Sequence, residues 1–170
     1  MPLYLHGLGH FHPENEITNR FLEELDMGTT EEWILERVGI RSRRTVLPLD
    51  YIRATRNRDI RAAYEASPYG NARTGALAAR MAIARAGIDP GAIGLVIAGG
   101  FAPDSLTPAE AATIAGELGI DAPCFDLNSA CTSFGMQVAF VSRLDPAHLP
   151  DFVLLVNPEN LTRSIDYADR

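Results

Sequence analysis

The most informative absence from this sequence is lysine, because all fifteen basic residues of the 170-residue chain are arginine. Without a lysine amine, the chain cannot form a Schiff base with a carbonyl substrate or supply the lysine of a P-loop. The net charge of −7 also argues against a general nucleic-acid binder, which needs a basic surface to neutralise phosphates. The sequence therefore excludes two catalytic chemistries and disfavours nucleic acid as a partner.

Cysteines are scarce too, with only Cys124 and Cys131 present. Their spacing fits neither a disulfide framework nor the common zinc-ligand patterns, so we expect two reduced thiols in a cytoplasmic protein. His6, His10 and His12 are close in sequence but lack further ligands, so no metal site is expected. Long apolar runs are also missing, since none approaches the roughly 18 residues of a membrane span, and the N-terminus lacks signal-peptide features. We therefore expect a soluble protein with no membrane segment.

A hydrophobic content of 46% is enough for one domain with a sizeable core. Periodicity and turn residues predict strands over 3–8, 93–98, 123–127 and 152–156, and helices over 17–25, 30–38, 74–86, 108–118 and 130–144. Residues 47–71 are predicted to form a loop with a helical part. Polar and apolar residues do not alternate along these strands, and helices precede and follow them in sequence. This pattern indicates an α/β protein with a mostly parallel sheet that has helices on both faces.

The strongest functional candidate is Cys131, between the strand 123–127 and the helix 130–144. A thiol in or beside the first turn of a helix meets unpaired backbone N–H groups and the positive end of the helix dipole. Both favour the thiolate, which is the nucleophilic form. The alternative is a small buried hydrophobe, which is the interpretation we give to Cys124.

A second candidate is the helix over 30–38, where Thr29 and Glu32 form a predicted capping box. Trp33 and Arg37 are four residues apart and therefore share one helical face. That face could be ordinary packing or a platform that stacks a ligand ring.

Seven arginines are concentrated between positions 41 and 61. They could be a solvated face, or they could form a basic edge that suits a phosphate-bearing or acidic partner. Within this cluster we consider Arg56 and Arg58 as candidate docking residues.

These segments together resemble 3-oxoacyl-(acyl carrier protein) synthase III, a condensing enzyme of the thiolase superfamily. The resemblance is carried by the run TTEEWILERVGIRSR over 29–43 and by the turn at Ala130-Cys131, with support from 18–23, 93–97 and 123–126. It covers most of the chain and matches the N-terminal half of that family. It implies a thiolase-like half fold over 1–170, with the helix after the cysteine buried at its centre.

The resemblance also implies an activity and the residues that perform it. Cys131 would take an acyl group from acyl-CoA and pass it to a carbanion made by decarboxylating a malonyl thioester on acyl carrier protein, or a related 3-oxoacyl thioester. The cysteine's own N–H would contribute to an oxyanion hole. Trp33 and Arg37 would sandwich the adenine of CoA, with Thr29 beside it and Arg163 as a further stacking arginine. The resemblance implies a homodimer that uses acyl-CoA as substrate and needs no nicotinamide, flavin or metal.

Departures from the family pattern mark a specialised member. The family pairs its cysteine with a histidine and an asparagine from a second half, which this chain does not contain. Thr107 stands where the family often has an aromatic residue lining the acyl pocket, and 47–71 is a possible insertion near the substrate entrance. Alternatives are acyl transfer to a hydroxyl or amine, and a non-catalytic half that serves dimerisation or docking. Apart from these alternatives, we expect Arg56 and Arg58 to guide the phosphopantetheine arm or the acidic carrier protein.

Overall fold

Residues 3–169 are described by a computed structural model. They divide into two compact units, one of residues 3–11 and 71–159, the other of residues 12–70 and 160–169. We call the first the sheet unit and the second the ribbon unit, after the strands that each contains.

The ribbon unit contains a two-stranded antiparallel sheet and four helices. The elements are β1 (Asn15–Thr18), α1 (Asn19–Glu24), α2 (Glu31–Val38), β2 (Ser42–Thr45), α3 (Leu49–Thr55), α4 (Ile60–Ala66) and a 3₁₀ turn at Leu161–Ser164. β1 and β2 pair with Ile17 opposite Arg43. Ile17, Leu47 and Ile52 are fully buried at the centre of this unit's core, which also includes Tyr167 of the returning chain.

The sheet unit contains three parallel strands and three helices. The elements are α5 (Asn71–Ala86), β3 (Ile93–Ala98), α6 (Glu110–Leu118), β4 (Cys124–Asp126), α7 (Ser133–Val141) and β5 (Phe152–Val156), with 3₁₀ turns at Pro90–Ala92 and Ala130–Thr132. β3 is central in the order β4-β3-β5. Its core joins these strands to α5 and α6 through Val96, Ala98, Ile114 and Val156. The predicted α/β class with a parallel sheet is confirmed.

The predicted strand over 3–8 is wrong. Residues 3–11 form no strand and instead follow the surface of α5, where Arg85 donates a hydrogen bond of 2.8 Å to the carbonyl of Leu8. Gly7 and Gly9 permit this contact, since an added Cβ would overlap the carbonyl oxygens of Ala82 and Ala78.

Several helices begin at a different residue than predicted, because a capping group determines where the first helical turn starts. The helix predicted over 17–25 begins at Asn19, because β1 takes the preceding residues and the hydroxyl of Thr18 accepts the N–H of Phe21 at 3.0 Å. The helix predicted from 74 begins at Asn71, and the one predicted from 108 begins at Glu110. The region 47–71 is more helical than predicted, since it contains α3, α4 and the start of α5.

The helix after Cys131 differs most from its prediction. It runs from Ser133 to Val141, shorter than 130–144, and within it only Ser133, Gln137 and Val141 are buried. The expectation of a buried central helix is not met within residues 3–169, because most of its apolar side chains, among them Phe134 and Met136, are exposed. No helix in this range is both long enough and apolar enough to cross a membrane.

Candidate functional site

Cys131 lies in the 3₁₀ turn between β4 and α7, as the sequence predicts, and its side chain is exposed. The preceding residue, Ala130, has a φ of 46°, a left-handed conformation that a residue with a side chain adopts at a cost. The turn therefore presents the thiol to solvent. Exposure disfavours the buried-hydrophobe interpretation for Cys131, whereas Cys124 is half-buried and packs against the core of the sheet unit.

A set of hydroxyl groups holds this turn in shape. The hydroxyl of Ser133 accepts the N–H of Ser129 at 2.9 Å and donates to the carbonyl of Ala130 at 2.8 Å. The hydroxyls of Ser129 and Thr132 are 2.8 Å apart, and Thr132 also donates to the carbonyl of Ser129 at 2.8 Å. The sequence analysis does not predict this network. The sequence feature that could have indicated the network is the group of hydroxyl side chains on both sides of one cysteine.

The loop after β3 fixes the turn from the other side. The side-chain oxygen of Asn128 accepts the N–H of Gly100 at 3.0 Å, and Ala130 donates its N–H to the carbonyl of Gly100 at 3.2 Å. Gly99 has no room for a side chain, because a Cβ would overlap the carbonyl oxygen of Leu127 and lie 2.6 Å from Nε2 of Gln137. The segment that leads into Cys131 is thereby anchored to the loop at the end of the central strand.

A chain of carboxylates organises the segment that carries Thr107. Both oxygens of Asp126 accept backbone N–H groups at 2.8 Å, from Glu110 and Ala111, and so cap α6. Glu110 accepts the N–H of Asp104 at 3.1 Å, and Asp104 accepts the N–H of Asn71 at 2.7 Å. Burial raises the pKa of Glu110, and the charges of Asp104 and Asp126 act in the same direction, against hydrogen bonds that lower it.

Thr107 is exposed and joins Pro108 through a cis peptide bond. The neighbouring Leu106 is 96% exposed, so the segment between Asp104 and Glu110 projects apolar surface into solvent. The acyl-pocket role of Thr107 stays a prediction.

In the ribbon unit, α2 presents Trp33 and Arg37 at exposed positions one turn apart, Trp33 being 39% exposed. The residue that caps this helix is Thr30, whose hydroxyl accepts the N–H of Trp33 at 3.1 Å. The capping prediction was therefore off by one residue. Thr29 instead has a buried hydroxyl oxygen with no hydrogen-bond partner. The helix ends at Gly39 in the left-handed conformation, as predicted.

Arg163 lies in the same unit but is only 2% exposed. Its guanidinium carbon is 3.9 Å from the centroid of the Tyr64 ring, and its carbonyl accepts a hydrogen bond of 2.7 Å from Asn57. Of the two candidate docking residues, Arg58 is exposed and Arg56 is half-buried. Their role in docking a carrier stays a prediction.

Within residues 3–169, no group of three or more His, Cys, Asp and Glu side chains is placed to hold a metal ion.

No family model matches the sequence, but individual proteins do. The chain is 35% identical to a beta-ketoacyl-[acyl-carrier-protein] synthase III from Symbiobacterium thermophilum, over 99% of the chain and 46% of the relative. It is 29% identical to the enzyme of the same name from Coxiella burnetii, over 98% of the chain and 47% of the relative. The chain spans about half the length of the curated relatives it matches.

A solved structure gives the same picture. The priming beta-ketosynthase of the R1128 polyketide biosynthetic pathway is 33% identical and superposes with a TM-score of 0.78, over 98% of this chain and 44% of its own. The likeness confirms the predicted thiolase-like half fold.

Proposed function

Because this chain is a homologue of beta-ketoacyl-[acyl-carrier-protein] synthase III over almost its whole length, we propose that it forms the cysteine-bearing part of an acyltransferase of that type. One observation carries the proposal. The cysteine that the sequence singles out is exposed, in a turn whose preceding residues Asn128 and Ala130 are hydrogen-bonded to the loop after β3. A positioned and accessible thiol is what a nucleophile of acyl transfer requires.

The first step is transfer of an acyl group to Cys131. The thiolate attacks the carbonyl carbon of an acyl thioester, a bond forms from Sγ to that carbon, and the bond from the carbon to the donor sulfur breaks. The donor leaves as a thiolate and takes up a proton. The backbone N–H of Cys131 is the residue's own contribution to stabilising the tetrahedral oxyanion.

The second step forms a carbon–carbon bond. A malonyl thioester on acyl carrier protein loses carbon dioxide, and the resulting carbanion attacks the acyl carbon on Cys131 and releases the thiolate. The histidine and asparagine that assist this step in the resembled family would come from a second half. Relatives about twice as long as this chain support that assignment, since the chain covers only 46% of one of them.

The exposed surface of α7 also supports the proposal that a second half completes the site. Phe134, Met136 and Phe140 are 53%, 48% and 37% exposed on a helix whose buried side chains include Ser133 and Gln137. A contiguous exposed apolar surface of this kind is typical of a site that another protein segment covers. We propose that a further segment of the protein packs on it.

Donor recognition is assigned to the ribbon unit, where Trp33 and Arg37 share the exposed face of α2 and Thr29 precedes it. The carrier protein, a homodimeric state and a cytoplasmic location are parts of the same proposal. Homology to an acyl-carrier-protein-dependent enzyme supports the carrier, and the reduced cysteines of an acidic chain are consistent with the cytoplasm.

The test is direct acylation of the protein at the full length of its reading frame. After incubation with acyl thioesters, intact mass spectrometry should show one added acyl group. The adduct should disappear in Cys131→Ala and persist in Cys124→Ala, which is the matched control. An adduct that survives Cys131→Ala, or no adduct with any acyl thioester, contradicts the proposal.

Product analysis then separates condensation from acyl transfer to a hydroxyl or amine. Adding malonyl carrier protein to the acylated enzyme should consume the adduct and release one carbon dioxide for each product formed. Loss of the adduct without carbon dioxide would contradict decarboxylative condensation.

A further inference from the structure

The buried hydroxyl of Ser133 holds a peptide group next to Cys131. Ser133 is the first residue of α7 and is 2% exposed. Its hydroxyl accepts the N–H of Ser129 at 2.9 Å and donates to the carbonyl of Ala130 at 2.8 Å. The backbone N–H of Ser133 also donates to the carbonyl of Ala130. One residue therefore supplies two hydrogen bonds to the carbonyl that directly precedes Cys131.

These two bonds orient the peptide group between Ala130 and Cys131. A trans peptide group is planar, so its N–H points opposite to its carbonyl. Since the carbonyl of Ala130 is turned towards the first turn of α7, the N–H of Cys131 points away from that turn. This N–H is the group assigned above to the tetrahedral oxyanion.

The orientation of this peptide group is held against backbone strain at Ala130. A residue with a side chain at a φ of 46° persists where its surroundings fix it. The carbonyl of Gly100 accepts the N–H of Ala130 at 3.2 Å and so holds the preceding peptide group. Relaxation of Ala130 would therefore rotate the peptide group on the Cys131 side, and the hydroxyl of Ser133 is the side-chain group that restrains it.

Ser133 itself has little room to move. A Cβ added to Gly99 would lie 3.2 Å from the Cβ of Ser133, so the serine packs closely against the backbone after β3. One helical turn later, Gln137 is fully buried and its Oε1 accepts a hydrogen bond of 3.0 Å from Asn157, which follows β5. The buried face of α7 is thus fixed to the sheet by directional polar contacts.

From this geometry, and resting on the proposed function, we infer that Ser133 is a positioning residue that holds the N–H of Cys131 towards the developing oxyanion. Acyl transfer needs this N–H, because the thioester oxygen becomes negatively charged when Sγ attacks. Alkylation of the same thiol by iodoacetamide forms no oxyanion, since Sγ displaces iodide from a saturated carbon. The ratio of the two rates therefore reports the orientation of the N–H and is independent of the fraction of folded protein.

The experiment measures both rates on the protein at the full length of its reading frame. Acetyl-CoA, butyryl-CoA and octanoyl-CoA are the acyl donors, and iodoacetamide is the alkylating agent. Tandem mass spectrometry assigns each modification to Cys131. Ser133→Ala should lower the ratio of acylation rate to alkylation rate by at least about tenfold, a part of the roughly 10²–10³-fold lost when an oxyanion donor is removed outright.

Ser142→Ala is the matched control. The hydroxyl of Ser142 donates to the carbonyl of Ala139 at 2.8 Å, which is the same kind of bond at the other end of α7. Its loss should leave the ratio unchanged.

Ser133→Cys supplies a second test if Ser133→Ala does not fold. Its side chain has nearly the size of serine, but a thiol is a weak donor and a weak acceptor. The ratio of the two rates at Cys131 should therefore fall in this variant too.

The outcomes separate the two proposals. If the ratio in Ser133→Ala, or in Ser133→Cys where that variant replaces it, stays within about tenfold of the parent value, the inference is overturned and the acyltransferase proposal stands. If none of the three acyl donors modifies Cys131 in the parent protein, the acyltransferase proposal is contradicted, and the inference falls with it.

Discussion

At the scale of single residues, Glu110 has the clearest link between position and charge in the sheet unit. Its side chain is 7% exposed at the first turn of α6, near the carboxylates of Asp104 and Asp126. Burial raises the pKa of Glu110 in the folded protein above its value in the unfolded chain. The folded state therefore binds this proton more tightly. The stabilisation linked to it is fully present below the unfolded pKa and is lost as the pH rises through the folded pKa.

Replacement of Glu110 by glutamine removes this titration and keeps an oxygen to accept the N–H of Asp104. We expect Glu110→Gln to melt roughly 2–4 °C above the parent protein at pH 8, with the difference shrinking towards pH 4. Thermal unfolding followed between pH 4 and pH 8 measures it. Glu65→Gln, at an exposed position of α4, is the control and should show no such trend. A parent protein that melts higher than Glu110→Gln at pH 8 contradicts the prediction.

At the scale of elements, two adjacent threonines precede α2, and only one of them has a hydrogen-bond partner for its hydroxyl group. Thr30 caps the helix through its hydroxyl, whereas the hydroxyl oxygen of Thr29 is buried without a partner. Thr30→Ala should lower the free energy of unfolding by about 1 kcal/mol, the usual cost of a lost N-cap. Thr29→Ala should cost clearly less, since it breaks no hydrogen bond of its side chain. Chemical denaturation of both variants decides it, and an equal loss for the two would contradict the assignment of the cap.

Two glycines of the sheet unit give a second matched pair. Gly99→Ala places a methyl group against the carbonyl of Leu127 and 2.6 Å from Nε2 of Gln137, so we expect a loss of about 1–3 kcal/mol. Gly116 is exposed within α6 and a Cβ there meets nothing within 4 Å. Gly116→Ala should therefore gain about 0.5–1 kcal/mol from helix propensity. Urea unfolding of the two variants should show opposite signs, and a gain at both positions would show that the loop after β3 is not tightly packed.

The elements also show what the sequence could and could not reveal. The strands Ile93–Ala98 and Phe152–Val156 match their predicted bounds because each is a continuous apolar run with turn residues at its ends. The stops at Gly39, Gly87 and Gly119 match because a left-handed residue at that point favours glycine. The start of α6 could not be predicted, since its cap is Asp126, sixteen residues away in sequence. The stack of Tyr64 on Arg163 was missed for the same reason, because it joins distant segments through side chains.

At the scale of the whole molecule, the exposed apolar side chains of α7 should respond differently to mutation in the isolated chain and in a longer protein. Phe134 and Phe140 are partly exposed, and the proposal that a further segment covers them predicts opposite effects in two contexts. In the 170-residue chain alone, Phe134→Gln with Phe140→Gln should raise solubility and reduce binding of an apolar dye. In the protein at the full length of its reading frame, the same pair should lower the melting temperature, because buried aromatic contacts are lost. If the two substitutions raised both the solubility of the 170-residue chain and the melting temperature of the longer protein, nothing would pack on this face.

The double role of Asp126 has a consequence for any mutational survey of this protein. The same residue tethers the first turn of α6 by two hydrogen bonds and begins the backbone that leads to Cys131. Substituting it would displace the proposed nucleophile from a distance, although Asp126 itself takes no part in the proposed chemical steps. If the proposed activity is assayed, a screen that scores turnover alone would record Asp126 as an acid or base of the reaction. Measuring the rate of thiol alkylation against pH would distinguish the two cases, because a displaced cysteine and a missing proton donor change this pH dependence differently.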